Sequence, residues 1–454
     1  MLRKIYLPRE ELFPYTNGWF LVHEQRQLHR RYVKLDIDAL YEVACAAGDE
    51  VPSRITSIEK LEGGFSKALL MKKETGTEVI VKIPFRIAGP TVLTTAPEVG
   101  VLDYVRQYTE IPVPRVLSWS AEGSNPVGAQ YDMEKAAGVQ LYQQWGGVSE
   151  YEKLQLIKNL TKLEAHFSAM SFPAYGALYR REDADGRFEY STLDGDTDCS
   201  TLVRLAIGGS VRSLVRPMGL GTMEEKSHLL RLTQILMPYL DSNSALRHSS
   251  QPTLWHTHLH MGNIFVSHRH ETEITSLIDF QSLSVLPAFL QAQWPVFLKL
   301  PSNYARGLAH PKLPADFEDM DKENITLARE ELQQAKLAKA YEVSSYLQRK
   351  SAHTAMDVPP VFRELFTRCG EVSDMGVIPL RACLIEVFEN WSNLEFSGEC
   401  PFSFTGEDIE LHERQFADYQ AWHNLQQLVQ ECLDTDAEGW VDPRFGMCGG
   451  EKAE

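Results

Sequence analysis

The sequence predicts an α+β chain, with a small antiparallel sheet near its start and a larger, mostly helical portion after it. Three observations predict this. Residues 54–83 read as a meander of short strands. Beyond residue 140, long stretches carry apolar residues three and four apart. Between those stretches, residues 254–281 break the helical pattern with a polar loop, an apolar strand, a turn and a second apolar strand.

The composition narrows the class. A chain of 454 residues has ample length to bury a core, and 43% hydrophobic with 24% charged residues is ordinary for a globular protein. The formal net charge of −17 repels phosphate backbones, so nucleic acid is not an expected partner. The seven cysteines are odd in number and widely spaced, without a Cys-x-x-Cys, which points to neither a disulfide framework nor a thiolate zinc site. No apolar run approaches the ~18 residues of a membrane span. The basic start, Met1 to Arg9, is followed at once by Glu10 and Glu11, so no clear targeting segment is expected; a cytoplasmic or mitochondrial location is left open, the latter only as what the family resemblance given below implies.

Taken in order, residues 1–48 form an extension whose Asp36–Ala44 stretch is helical, with Gly48 placed to stop it. Three strands follow, Arg54–Leu61, Ala68–Lys73 and Glu78–Ile83, with Gly63 and Gly64 at the first turn. Paired glycines serve either a hairpin that needs positive φ or a loop whose N–H groups approach phosphates. Lys82, flanked by apolar residues, either snorkels to solvent or meets an anion. Thr95-Ala96-Pro97-Glu98 reads as a capping box with proline in the first turn, which would start a helix running Val99–Tyr108; Glu98 is equally placed to pair with Lys82. Ile111–Leu117 holds two prolines and is expected at a sheet edge, and Tyr131–Gly138 as the last strand and hinge. Helices are expected within 140–175, over Lys226–Leu240, Ile325–Lys350 and Ile409–Leu433, and along the stripe Leu380, Leu384, Val387, Trp391; the aromatics Phe416, Tyr419 and Trp422 read as core. Residues 176–200 read as a polar loop, and 201–225 are poorly patterned.

The chemistry concentrates in Leu254–Val266 and Leu277–Gln281. The loop–strand–turn–strand layout can bring Asn263 and Asp279 side by side at the mouth of a small sheet. An amide oxygen and a carboxylate are hard ligands suited to Mg²⁺ on a nucleotide. His256, His258 and His260 alternate, so on a strand they would share one face and could bind zinc. A His-ligated metal hydrolase is therefore the rival reading, but the chain has no repeating strand–helix units to build the barrel such enzymes use.

The stretch resembles the catalytic core of the aminoglycoside phosphotransferase (choline-kinase-like) branch of the protein-kinase-like fold. That family writes His-x-Asp-Leu-His-x-Gly-Asn, then a strand ending Ile-Asp-Trp or Ile-Asp-Phe. His256, Leu259, His260, Gly262, Asn263, Ile278, Asp279 and Phe280 match, and the family's catalytic aspartate is His258 here. Gly63-Gly64-Phe65, Val81-Lys82-Ile83-Pro84, Ile87-Ala88-Gly89-Pro90, Ile111-Pro112-Val113-Pro114, Met133-Glu134-Lys135-Ala136, Arg31-Tyr32-Val33-Lys34 and Glu413-Arg414-Gln415-Phe416 are similar to a fungal subgroup, the altered inheritance of mitochondria protein nine group.

The resemblance implies a two-lobe fold: an extension (1–48), a sheet lobe (49–138), a helical lobe (139–440) carrying the loop 254–281, and a tail (441–454). It implies ATP and Mg²⁺, with Gly63 and Gly64 over the phosphates, Lys82 gripping them, Glu98 holding Lys82, the backbone from Glu134 to Gly138 on adenine, and Asn263 and Asp279 on the metal. It makes His260 structural, tying the loop to backbone carbonyls. The expected activity is phosphoryl transfer to a small-molecule hydroxyl, with the acceptor and the oligomeric state left open. With imidazole in place of the aspartate, a non-catalytic nucleotide-binding protein is the alternative.

Overall fold

The computed structural model describes residues 9–442 apart from 49–50, 123–124, 126, 128–129, 185–189, 193–200, 204–220, 302–303, 308 and 437. The poorly patterned stretch after Thr201 lies largely outside the described residues. Ahead of the meander come strand β1 (Trp19–Phe20), helix α1 (Glu24–Arg31) and helix α2 (Ile37–Ala46), the last capped by the Asp36 carboxylate on the N–H groups of Asp38 and Ala39. The meander is β2 (Ile55–Glu62), β3 (Ser66–Lys73) and β4 (Glu78–Pro84). Helix α3 (Thr91–Tyr108) separates it from β5 (Val116–Ser120) and β6 (Gln130–Glu134). The five strands form one antiparallel sheet in the order β2-β3-β4-β6-β5.

Period-two alternation decides what each face of this sheet does. Leu69 and Met71 on β3, with Val81 and Ile83 on β4, are buried against Leu35, Ile37, Leu40 and Ala44 of the extension. Lys67 and Lys73 flank that apolar pair on the same face of β3 and turn their ammonium groups onto extension carbonyls. Lys67 Nζ reaches Leu12 O at 2.6 Å and Phe13 O at 2.8 Å, and Lys73 Nζ reaches Cys45 O at 3.1 Å. Burial lowers the Lys67 ammonium to about 8, against the opposing pull of Glu62. The extension is thus stapled onto the sheet by lysines as well as packed onto it. The opposite face of β4 carries Ile80 and Lys82, turned toward α3.

Three expectations change here. Helix α3 begins at Thr91 after Pro90, so Thr95 and Pro97 are inside it and no capping box forms at Glu98. Pro97 removes one hydrogen-bond donor within the helix. A local cap pattern was overridden because residues 94–99 are buried together against the sheet. Ile111–Arg115 precede the edge strand β5 instead of forming it, as Pro112 and Pro114 lack the N–H a ladder needs. Neither Gly63 nor Gly64 has positive φ, and a Cβ on Gly64 would meet open space. The hairpin therefore does not need glycine for its backbone geometry.

Strand β7 (Val139–Gln140), helix α4 (Leu141–Gln144) and the long helix α5 (Glu150–Ala169) follow. A complete capping box between Ser149 and Glu152 starts α5. Strand Ile264–Val266 lies between Ile274–Leu277 and β7 in a second, three-stranded sheet. Two further small sheets form, Ala177–Tyr179 with Thr201–Val203 and Tyr190–Thr192 where a polar loop was expected, and Pro252–Thr253 with Leu286–Pro287. The rest is mostly helical: Met223–Ser242, Lys322–Gln348, Pro360–Met375, Ile378–Glu389 and Gly406–Leu433 are the long segments. Leu229, Leu236, Phe362, Leu380, Leu384 and Trp391 build a core of their own there. Phe416 and Tyr419 pack against that core from outside, half-buried with Trp422, instead of lying inside it; on Gly406–Leu433 only His412 is buried. At the boundary of the expected tail, Trp440–Val441 pairs antiparallel with β1. Among the described residues no helix is long and apolar enough to cross a membrane.

Candidate functional site

The two sheets meet at Gly138, where β6 gives way to β7. Its φ is +92°, and a Cβ there would lie 2.2 Å from Val266 O and 2.5 Å from Thr275 Oγ1, so only glycine fits. The Ala137 carbonyl just before it accepts a hydrogen bond from the Thr275 hydroxyl at 2.5 Å. The Glu134 backbone N–H donates to Arg115 O at 2.9 Å, and its carboxylate accepts from Arg115 Nε at 3.1 Å. The linker Lys135–Ala137 therefore runs between two fixed points.

Lys82 is 8% exposed and lies between two carboxylates, with Glu98 Oε1 at 2.8 Å and Asp279 Oδ1 at 3.0 Å from its Nζ. The Tyr131 ring centroid is 5.7 Å from the same nitrogen. Burial opposes the charge on Lys82, but Glu98, Tyr131 and Asp279 together hold its ammonium well above its ordinary range. Burial pushes the Glu98 carboxyl up, while Lys82 and the Tyr131 hydroxyl pull it back. Asp279 is lowered: burial would raise it, and Lys82 overcomes that. Tyr131 completes this cluster, and the sequence reading did not single it out. Its register opposite Lys82 on the neighbouring strand was the available signal.

Asn263 and Asp279 come together through the second sheet. Ile264 pairs with Leu277, and the Ile278 N–H bonds to Asn263 O at 3.1 Å, which sets the residues flanking the two strands next to each other. Asp279 has a φ of +65°, a left-handed conformation that aspartate tolerates better than most residues. Asn263 is buried, and its Nδ2 donates to His258 O at 3.0 Å. That bond leaves the amide oxygen as the group Asn263 can offer a ligand. The second carboxylate oxygen of Asp279 bonds to no described residue. An amide oxygen and a carboxylate oxygen are hard ligands of the kind a divalent ion takes.

The three histidines do not converge. His256 is buried and edge-on to Phe280 at 4.7 Å, and its Nε2 meets Ile278 O at 2.9 Å. A carbonyl can only accept, so Nε2 carries the proton. His260 is exposed, and its Nδ1 accepts the Gly262 N–H at 3.0 Å. It therefore ties the loop to a backbone N–H, and the carbonyl tie expected of it is made by His256. His258 is exposed at the loop's turn. Among the described residues no group of three or more His, Cys, Asp or Glu could hold a metal ion.

Burial lowers His256 to about 4 from 6.5. A base with a depressed folded pKa contributes stability above its unfolded value, and that stability is lost as pH falls toward the folded value. Between pH 6.5 and 4 this histidine should therefore cost the fold about 3 kcal/mol. His256→Gln keeps a donor near Ile278 O without titrating there, so its stability should decline less over that range. Urea unfolding of both proteins at pH 7 and pH 4 measures the difference; parallel decline would refute it.

A five-stranded sheet joined by a glycine hinge to a helical lobe, with a lysine, two carboxylates and an asparagine gathered at the join, is the arrangement of a kinase-like phosphotransferase. The family model described as phosphotransferase enzyme family matches residues 57–289, more than half of the 454, and the chain belongs to that family. It is 27% identical over 459 aligned residues to a subtelomeric hrmA-associated cluster protein of Aspergillus fumigatus, covering 84% of this chain and 88% of the relative. It is 25% identical over 197 residues to altered inheritance of mitochondria protein 9 of Yarrowia lipolytica, covering 39% of this chain and 34% of that protein. Among solved structures it is similar to the aminoglycoside phosphotransferase APH(4)-Ia in complex with AMP-PNP and hygromycin B, at 12% identity and a TM-score of 0.37, covering 76% of this chain and 98% of that one. A likeness to the streptomycin–ATP–APH(2")-IIa complex has 14% identity and a TM-score of 0.34, covering 75% and 91%.

Proposed function

We propose that this chain binds ATP with Mg²⁺ between its two lobes and transfers phosphoryl groups to a small-molecule hydroxyl slowly, because His258 stands where the family has its aspartate. The observation that carries this reading is the single ammonium of Lys82 held within 3.0 Å of both Glu98 and Asp279. Buried ion pairs of this kind are rarely kept for stability alone, since desolvation offsets much of their Coulomb gain.

In this reading Glu98 fixes Lys82, and Lys82 offers its charge to the nucleotide phosphates. Gly63 and Gly64 cover the phosphates with backbone N–H groups, and the backbone from Glu134 to Gly138 faces the adenine. Asn263 and Asp279 would hold Mg²⁺, which when bound neutralises charge on the phosphates. His258 faces the acceptor hydroxyl and can take its proton as neutral imidazole, but it brings no negative charge to orient that hydroxyl. The last point favours a second reading, a protein that binds nucleotide and does not turn it over.

Titration calorimetry tests the nucleotide site. Wild type should bind ATP in a Mg²⁺-dependent manner, and Asp279→Asn should bind at least about tenfold more weakly, the loss expected when a charged ligand is removed. Absence of ATP binding to wild type would end both readings.

A further inference from the structure

The glycine turn between β2 and β3 is fastened from outside its sheet. Its Gly64 carbonyl accepts a hydrogen bond from Arg31 Nε at 3.2 Å. Arg31 ends α1, and its side chain is only 2% exposed. The same guanidinium donates to Gln27 Oε1 at 2.8 Å, pairs with the carboxylate of Glu438, and lies 4.6 Å from the Phe20 ring centroid. A planar fork with five donors can hold acceptors in several directions at once, which a lysine ammonium in this place could not do with the same geometry.

Glu438 reaches Arg31 because its own segment is docked. Trp19 and Phe20 pair with Val441 and Trp440, and the Trp440 indole N–H donates to Asn17 O at 2.7 Å. The residues flanking the glycines are tied to the same extension. Glu62 Oε2 accepts the Thr16 N–H at 2.8 Å, and the Asn17 amide donates to Glu62 O at 2.6 Å. Phe65 O accepts the Phe85 N–H at 2.8 Å, and Phe85 packs edge-on to Tyr15 at 5.9 Å.

We propose that Arg31 is a positioning residue for the nucleotide phosphates, and that the docked 438–441 segment sets its grip on the glycine turn through Glu438. This rests on the nucleotide reading above. Glycine loses more conformational freedom on being ordered than any other residue. A paired-glycine turn fastened beforehand spares the nucleotide that loss, and an unfastened one charges it against binding. Displacing 438–441 would then weaken phosphate binding without altering any residue that faces the nucleotide.

The test uses the full chain with Glu438→Gln and Arg31→Lys, measuring ATP·Mg²⁺ and adenosine affinities and hydrogen exchange of residues 62–66 without nucleotide. Glu438→Gln keeps the shape of a residue that is 19% exposed, so it serves even if Arg31→Lys does not fold. The expected result is faster exchange at 62–66 and ATP affinity lower by about tenfold, the effect of losing a charge-assisted hydrogen bond, with adenosine affinity unchanged. Unchanged exchange, or a parallel fall in ATP and adenosine affinity, overturns the proposal. A wild type that binds neither ligand overturns the nucleotide reading and this proposal with it. That case is told apart from a failure of the Arg31 lock, because exchange at 62–66 would still respond to the substitutions.

Discussion

His258→Asp should raise phosphoryl transfer, or background ATP hydrolysis, by about 10²–10⁴-fold, the range attributed to a positioned general base. The loop around the position is already built. Asn263 holds the His258 carbonyl at 3.0 Å, His256 is anchored on Ile278 O, and Leu259 is buried, so the backbone that would carry the aspartate is fixed on both sides. Only the side chain changes. ATP affinity should stay nearly constant, since in the proposed reading the base meets the acceptor and not the nucleotide. A coupled hydrolysis assay beside calorimetry measures both quantities. A wild type that is active and a slower His258→Asp would make imidazole the working base and remove the non-catalytic reading. Two forms that bind ATP and never turn it over would favour that reading instead.

Lys82→Met should be the most damaging single change to the fold of the site. It leaves Glu98, 3% exposed, without its counter-ion, and breaking one side of a buried pair costs about 3–5 kcal/mol. The loss should depend on pH with a definite sign. Without Lys82, the folded pKa of Glu98 rises further above its unfolded value. The stability tied to its protonated form is present below the unfolded pKa and is lost as pH rises through the folded one. Lys82→Met should accordingly be relatively more stable near pH 4 than near pH 7. Adding Glu98→Leu should recover much of the deficit at neutral pH, while ATP binding remains lost. Chemical denaturation of the two single variants and the double variant gives the coupling directly. Additive losses would mean that Lys82 and Glu98 do not support each other.

Much of this site was legible because its parts are local. The alternation around Val79–Ile83 set Lys82 opposite the Val81 face, and the loop–strand–turn–strand of 254–281 brought Asn263 beside Asp279 through one hairpin register. What escaped the sequence is set by contacts across long separations. Thr95-Ala96-Pro97-Glu98 has the local form of a helix start, and only burial against the sheet lets the helix begin at Thr91 and carry proline inside. His260 and His256 sit four residues apart with the same chemistry, and only the placement of Phe280 and Ile278 decides which is anchored in the core. The aromatics of Gly406–Leu433 have helical spacing, but their helix packs on the outside of a finished core. Arg31 gave no local sign of its role, because its partners belong to a turn 33 residues on and a segment 407 residues on.

That last separation bears on how the molecule is assembled. Contacts between distant stretches form slowly, because the entropy of closing the intervening loop must be met before the contact repays it. Residues near 440 leave the ribosome long after β1 and α1. During synthesis, the extension can pack and staple itself onto the meander while the Arg31 guanidinium still waits for its carboxylate. The glycine turn between β2 and β3 should therefore be among the last features of the protein to acquire native rigidity, trailing the sheet that carries it.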